Sequence, residues 1–221
     1  MSIFSTLLDL LFPPKCVFCS GVLNKTEESW CDKCTEALPY ADNHGRLDGE
    51  VFDFCISPLY YTGVVRRSIL RYKFRDASHY ADAYGKFLAQ CIREVPEISY
   101  DLISWVPLSS KRERKRGYDQ AMLLAMATAL ELDEVAVETL KKPHDVQAQS
   151  ELGDKNERSA NISGAYIVSD KDIITGRRIL LIDDVVTTSS TLNECSGELL
   201  SAGAAGIICA ALASATGAQG E

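Results

Sequence analysis

The chain has 221 residues, of which 46% are hydrophobic and 24% charged, with a formal net charge of −8. That is enough apolar material for one medium domain and a small one, while the acidic balance excludes a molecule that binds polyanions with its whole surface. No apolar run reaches the length of a membrane span, so membrane insertion is not expected.

Residues 3–12, IFSTLLDLLF, are apolar, but no basic residue precedes them and Asp9 interrupts them, unlike a signal peptide. Phe4, Leu7, Leu8, Leu11 and Phe12 keep helical spacing up to Pro13-Pro14, which predicts a short amphipathic helix packed on a neighbouring module, in a cytoplasmic protein. Cys16 and Cys19, then Cys31 and Cys34, form two C-x-x-C pairs with eleven residues between them. Two residues between thiols let both sulfurs reach one ion, so the four suit a tetrahedral zinc site rather than two disulfides. With all four positions filled by protein, the site is structural. Cys55, Cys91, Cys195 and Cys209 stand singly in apolar surroundings and read as small buried hydrophobes. His44, His79 and His144 lack metal spacing. The polar stretch 39–50 reads as a linker, giving two units: 1–50 with the zinc module, and a main domain over 51–221.

The main domain opens with a strand at Cys55–Tyr61, near an edge because of Pro58. A helix over Gly63–Phe74 carries Arg66, Arg67, Arg71 and Lys73, a face that is either solvated or set against a nucleic-acid backbone. A second helix follows over Ser78–Arg93. Residues 101–110, DLISWVPLSS, read as a central strand running into a loop, continued by KRERKRGYDQ over Lys111–Gln120, with Met122, Leu123, Met126 and Leu130 on the next helix. A loop this basic suits pyrophosphate, which takes backbone donors and bidentate arginines. Thr139–Lys141 is a short strand. Residues 143–164 are polar and long for a connection, as lids are. Strands at Ala165–Val168 and Gly206–Leu212 complete the pattern, with Ile174–Arg177 leading into the most informative stretch.

That stretch is RRILLIDDVVTTSST, ending at Thr191. Ile179–Ile182 is an apolar run without alternation, as in a parallel strand buried on both faces. It ends in Asp183 and Asp184, and a turn with the hydroxyls of Thr187, Thr188, Ser189, Ser190 and Thr191 leads into a helix. Open α/β sheets bind ligands at the carboxyl ends of their strands. The N–H groups of a helix start suit phosphate; carboxylates suit sugar hydroxyls and a nearby magnesium ion. Phosphate on one side and a diol on the other describe a ribose 5-phosphate.

The acidic pair and its hydroxyl-rich turn resemble the phosphoribosyl pyrophosphate motif of type I phosphoribosyltransferases. The resemblance assigns the ribose diol to Asp183 and Asp184 and the 5-phosphate to Thr187–Thr191. It departs at Ser189, where many members have Gly, and at Thr187, where some purine-using members have an Asp. The passage VPLSSKRERKRGYDQA is similar to the ComF subfamily, with Val106, Pro107, Leu108, Arg112, Arg116, Gly117, Tyr118 and Gln120 on its pattern and Asp119 in place of the usual Asn. Gln149, Leu152, Arg158, Asn161 and Gly164 continue it. With the zinc knuckles in front, this order resembles the ComF family, including ComFC and GntX-like proteins.

The resemblance implies a mostly parallel α/β sheet with helices on both faces plus the four-cysteine module, binding phosphoribosyl pyrophosphate with magnesium. The loop after the first core strand, with Ser109, Arg112 and Arg116, takes the pyrophosphate, and Gln149 and Arg158 lie near the ligand. Chemistry, if it occurs, is displacement of pyrophosphate at ribose C1, with Arg112, Arg116, Asp183 and Asp184 as the catalytic set and an acceptor the sequence does not name. The same resemblance implies a role in DNA uptake during natural transformation; the alternative to catalysis is a protein of the uptake machinery that binds single-stranded DNA on its basic segments, or a scaffold that docks an uptake helicase, with a non-catalytic ribose-phosphate site.

Overall fold

The computed structural model describes residues 13–24, 26–143 and 165–217. The amphipathic segment 3–12 and nearly all of the expected lid, with Gln149, Leu152, Arg158, Asn161 and Gly164, lie outside the described residues.

Helix α1 (Asp32–Ala37) begins directly after Cys31 and carries Cys34 on its buried side. The chain then turns through Asp42–Gly45 into β1 (Leu47–Asp48), which pairs antiparallel with β2 (Phe54–Ile56). The end of the polar stretch 39–50 is therefore an edge strand of the sheet. Pro58 has no N–H for a ladder and interrupts the strand expected at 55–61, leaving β2 and a separate β3 (Leu59–Tyr60). Helices α2 (Gly63–Phe74) and α3 (Tyr80–Arg93) follow, then β4 (Leu102–Trp105). After β4 come α4 (Ser110–Arg116) and α5 (Gln120–Glu131). The strands β5 (Leu140–Lys141) and β6 (Ile167–Val168) form a small antiparallel pair of their own. The chain ends with α6 (Lys171–Ile174), β7 (Arg178–Val186), α7 (Ser190–Ser201) and β8 (Gly206–Ser214).

The main sheet runs β1-β2-β8-β7-β4, with β3 also on β8. All pairings but β1–β2 are parallel, so the mostly parallel sheet with helices on both faces is observed. β7 and β8 are central because their apolar runs tolerate burial on both faces; all nine residues of β8 are buried. Successive side chains alternate. Leu180 and Ile182 pack with residues of α2, α3 and α5, whereas Ile179 and Leu181 pack with Leu192, Cys195 and Leu199 of α7. Gly85 of α3 lets that helix approach α5 closely: a Cβ there would lie 2.7 Å from Ala127.

Further local expectations change. β4, expected to be a central strand, stands last in the main sheet beyond β7, with an isolated bridge from Ile103 to Ala136 on its far side among the described residues. The basic segment Lys111–Arg116 is helical rather than a loop, because Lys, Arg and Glu are good helix formers, and Gly117 stops it in the left-handed region at φ 86°. The acidic pair does not end its strand: β7 continues to Val186 and stays paired with β8 out to Ser214. Lys171–Ile174 is a short helix capped by Asp170, so Ile174 closes a helix instead of opening the approach to β7.

Candidate functional site

The carboxyl ends of β4 and β7 frame a cavity. β4 ends its pairing at Trp105↔Ile182, and only Val106 N–H reaches on to Ile182 O, at 2.9 Å. Beyond that point the chain leaves through Pro107, which exposes one edge of β7 at the two acids. The cavity is lined by Asp183, Asp184 and Thr191 from the β7–α7 unit, by Val106–Ser109, Arg112, Arg116 and Asp119–Ala121 from the β4–α5 unit, and by Lys73, Lys142 and Tyr166. It encloses about 170 Å³, below the ~300 Å³ usual for a small-molecule pocket.

Strand alternation sends the two acids to opposite faces of the sheet. Asp184, 8% exposed, faces the α2 side, where Lys73 Nζ donates to its Oδ1 at 2.7 Å. Asp183 is half-buried on the α7 side, where its charge acts on Cys55, Tyr166 and Cys195. It accepts the Asp184 N–H at 2.7 Å. Burial, and then the charge of Asp184, push the Asp183 carboxyl up to about 8, against the pull of Lys73 and the Asp184 N–H.

Of the four cations that line the cavity among the described residues, Arg112 and Arg116 match the expected site, Lys142 does not, and Lys73 belongs to the expected basic face of α2. The charge of Arg116 lies 5.0 Å from the Phe74 ring and its guanidinium donates to Gln120 Oε1. Lys142 Nζ meets Tyr166 Oη at 2.8 Å. Their signal in sequence is faint, since a lone Lys or Tyr beside a short strand has no pattern to betray it. The basic face expected on α2 is largely committed: Lys73 takes Asp184, and Arg71 donates to Val17 O and Phe18 O at 2.9 and 2.6 Å. Arg66 and Arg67 remain exposed.

Asp119 lines the cavity, but both of its oxygens are taken by backbone N–H groups. Its Oδ2 accepts Leu108 N–H at 2.6 Å and its Oδ1 caps α5 at Met122 N–H, 3.1 Å. Ser109 is buried in the lining and Thr191 stands there from the first turn of α7. Thr187, Thr188 and Ser190 are exposed, Ser189 is partly covered, and these four lie outside the cavity lining. Ser189 has φ −68°, an ordinary value, so the position makes no demand for Gly.

The four cysteines converge as expected. Their sulfurs all lie within 4.8 Å of one another, with Cys16–Cys34 at 3.6 Å and Cys19–Cys31 at 3.7 Å. A tetrahedron with Zn–S of ~2.3 Å has edges of about 3.8 Å, so the donor set fits a structural zinc ion. The module is docked rather than tethered. Phe18 meets Phe87 edge-on at 5.4 Å between centroids, and Trp30 packs on Phe87 at 4.5 Å. Ser68 of α2 donates to Val17 O and pairs with Tyr84 Oη at 2.6 Å. The other four cysteines are buried, and burial pushes their thiols up, as befits inert core residues.

Comparison with known proteins agrees with both halves of this description. Residues 119–221 match the phosphoribosyl transferase domain and residues 7–46 the double zinc ribbon domain. Competence protein F of Haemophilus influenzae is 27% identical over 204 residues, 82% of this chain and 89% of that protein. Competence protein ComFC of Bacillus subtilis is 27% identical over 149 residues; the match spans 66% of this chain and 57% of that protein. Among solved structures, an allosteric regulatory enzyme of purine biosynthesis superposes with a TM-score of 0.48 at 18% identity, covering 65% of this chain and 30% of the other. No helix among the described residues is long and apolar enough to cross a membrane.

Proposed function

We propose that this chain, which carries a phosphoribosyl transferase domain behind a double zinc ribbon and is related to competence proteins F and ComFC, binds phosphoribosyl pyrophosphate with magnesium between β4 and β7. One observation carries the reading: residues from two strand–helix units, Asp183, Asp184 and Thr191 from one and Ser109, Arg112 and Arg116 from the other, share a cavity. In this reading the carboxylates accept the ribose hydroxyls. The exposed hydroxyls of Thr187, Thr188, Ser189 and Ser190, with Thr191 and the start of α7, take the 5-phosphate. Ser109, Arg112 and Arg116 take the pyrophosphate. Asp183 and Asp184 would hold a magnesium ion through their oxygens, and the ion would supply Lewis-acid charge to the leaving group. Gln149 and Arg158, outside the described residues, complete the proposed set.

Arg112 and Arg116 then hold the charge that grows on departing pyrophosphate, while the acids fix the sugar so that C1 faces its acceptor. The names of the relatives extend the proposal to competence, and the family resemblance extends it to DNA uptake.

Calorimetry with phosphoribosyl pyrophosphate and magnesium tests the binding. Heat is expected from the native protein and should vanish in the double variant Asp183→Asn, Asp184→Asn. Unchanged binding by that variant would remove the assignment. Release of pyrophosphate with candidate acceptors tests for turnover.

A further inference from the structure

The ion pair between Lys73 and Asp184 joins α2 to the end of β7 across 2.7 Å, and both side chains line the cavity. They are 18% and 11% exposed, so the pair is covered without being sealed. A covered pair of this kind returns little stability, since the desolvation of two charges offsets their attraction. An ammonium carries three donors, and Asp184 takes one. The last turn of α2 is also fixed to the arginine side of the cavity. Tyr72 Oη donates to Gln120 O at 2.8 Å, Tyr118 Oη donates to Tyr72 O, and Phe74 lies under Arg116. Lys73 is thereby held between Arg116 and Asp184, at the boundary where negative charge on the sheet gives way to positive charge on the helices.

We propose that Lys73 is a ligand-binding residue of this cavity, the counter-ion of Asp184 in the free protein and a partner of a pyrophosphate oxygen in the liganded one. The proposal rests on the ribose-phosphate reading of the site. When the sugar hydroxyls take up the oxygens of Asp184, the ammonium needs another anion, and the diphosphate on ribose C1 is the nearest part of the ligand to the arginine side. A compact ammonium suits that task as a point charge. The arrangement also neutralises one of the two acids while the site is empty of ligand. A divalent cation alone then has weak hold on the pair and enters with the diphosphate.

The test is calorimetry on the full chain with magnesium pyrophosphate, ribose 5-phosphate and magnesium phosphoribosyl pyrophosphate in turn, and with manganese alone. Lys73→Gln is expected to weaken both pyrophosphate-bearing ligands by about tenfold or more. Ribose 5-phosphate should bind as before or more tightly, and manganese alone should gain measurable affinity. Lys73→Arg should recover most of the pyrophosphate binding. Equal weakening of all three phosphates, or undiminished pyrophosphate binding in Lys73→Gln, would overturn the proposal. If the native protein binds none of the three, the reading of the site fails instead, and Lys73 falls with it. Should Lys73→Gln fail to fold because Asp184 is left as a covered, unpaired charge, Lys73→Gln combined with Asp184→Asn removes both charges. Its pyrophosphate affinity, set against that of Asp184→Asn alone, isolates the contribution of the ammonium; no difference between the two refutes it.

Discussion

Asp119 and Asp183 show how much a single carboxylate's surroundings decide. Both oxygens of Asp119 are occupied by backbone N–H groups, one at Leu108 and one at the start of α5. Asp119→Ala should cost about 2 kcal/mol by leaving a helix uncapped and a buried donor unpaired. Asp119→Asn keeps one acceptor and should cost less, both being read from denaturant midpoints. Burial pushes the Asp119 carboxyl up against the pull of those N–H groups, and with the added charge of Asp184 it pushes that of Asp183 up to about 8. In the unfolded chain Asp183 ionises near pH 4, whereas the folded protein retains the proton to about pH 8. The unfolded state thus holds fewer protons through that window, and its contribution to stability, complete below pH 4, is lost as pH climbs to 8. The charges acting on it are those of Asp184, Lys73 and Asp119, and Cys55, Cys195 and Tyr166 lie within reach of its own charge on the α7 side. Asp183→Asn should flatten the decline of the unliganded protein's Tm between pH 4 and 8; an unaltered slope would show that another group causes it.

At the scale of elements, apolar runs proved the most legible signal. Ile179–Ile182 and the run after Gly206 had no alternation, and they became the two central strands. The candidate site was legible where it is local in sequence: the acids, the arginines and Thr191 do share a cavity. Its remaining lining was not, because Lys73, Lys142 and Tyr166 come from distant elements that only packing brings together. The basic segment was misread because six charged residues in succession suggest a solvated loop, while the preference of Lys, Arg and Glu for helix carries equal weight. Helix packing is also hidden in composition. Gly85 looks like a weak point in α3, and on propensity alone Gly85→Ala should stabilise by ~1 kcal/mol. With Ala127 2.7 Å from the added carbon, it should instead destabilise by about 1–3 kcal/mol. Thermal denaturation distinguishes the two signs.

For the whole molecule, the zinc module is built into the same apolar core as α2 and α3. Ser68 and Arg71 hold carbonyls of the first knuckle, and two residues further along α2 Lys73 reaches Asp184. Zinc binding and folding are coupled in modules this small. Chelation, or Cys34→Ser, should therefore cost about 3 kcal/mol or more, roughly 10 °C in Tm for a chain this size. It should also weaken ligand binding, although none of the four cysteines lines the cavity. Full binding after zinc removal would show that α2 keeps its place unaided.

The opposed directions of Asp183 and Asp184 have one more consequence. A sugar that engages both must sit astride the lip of the sheet and act as a rivet through its two helical layers. Amide exchange should then slow on ligand addition at the end of α2 and at the start of α7 together, on opposite sides of a sheet that itself hardly changes.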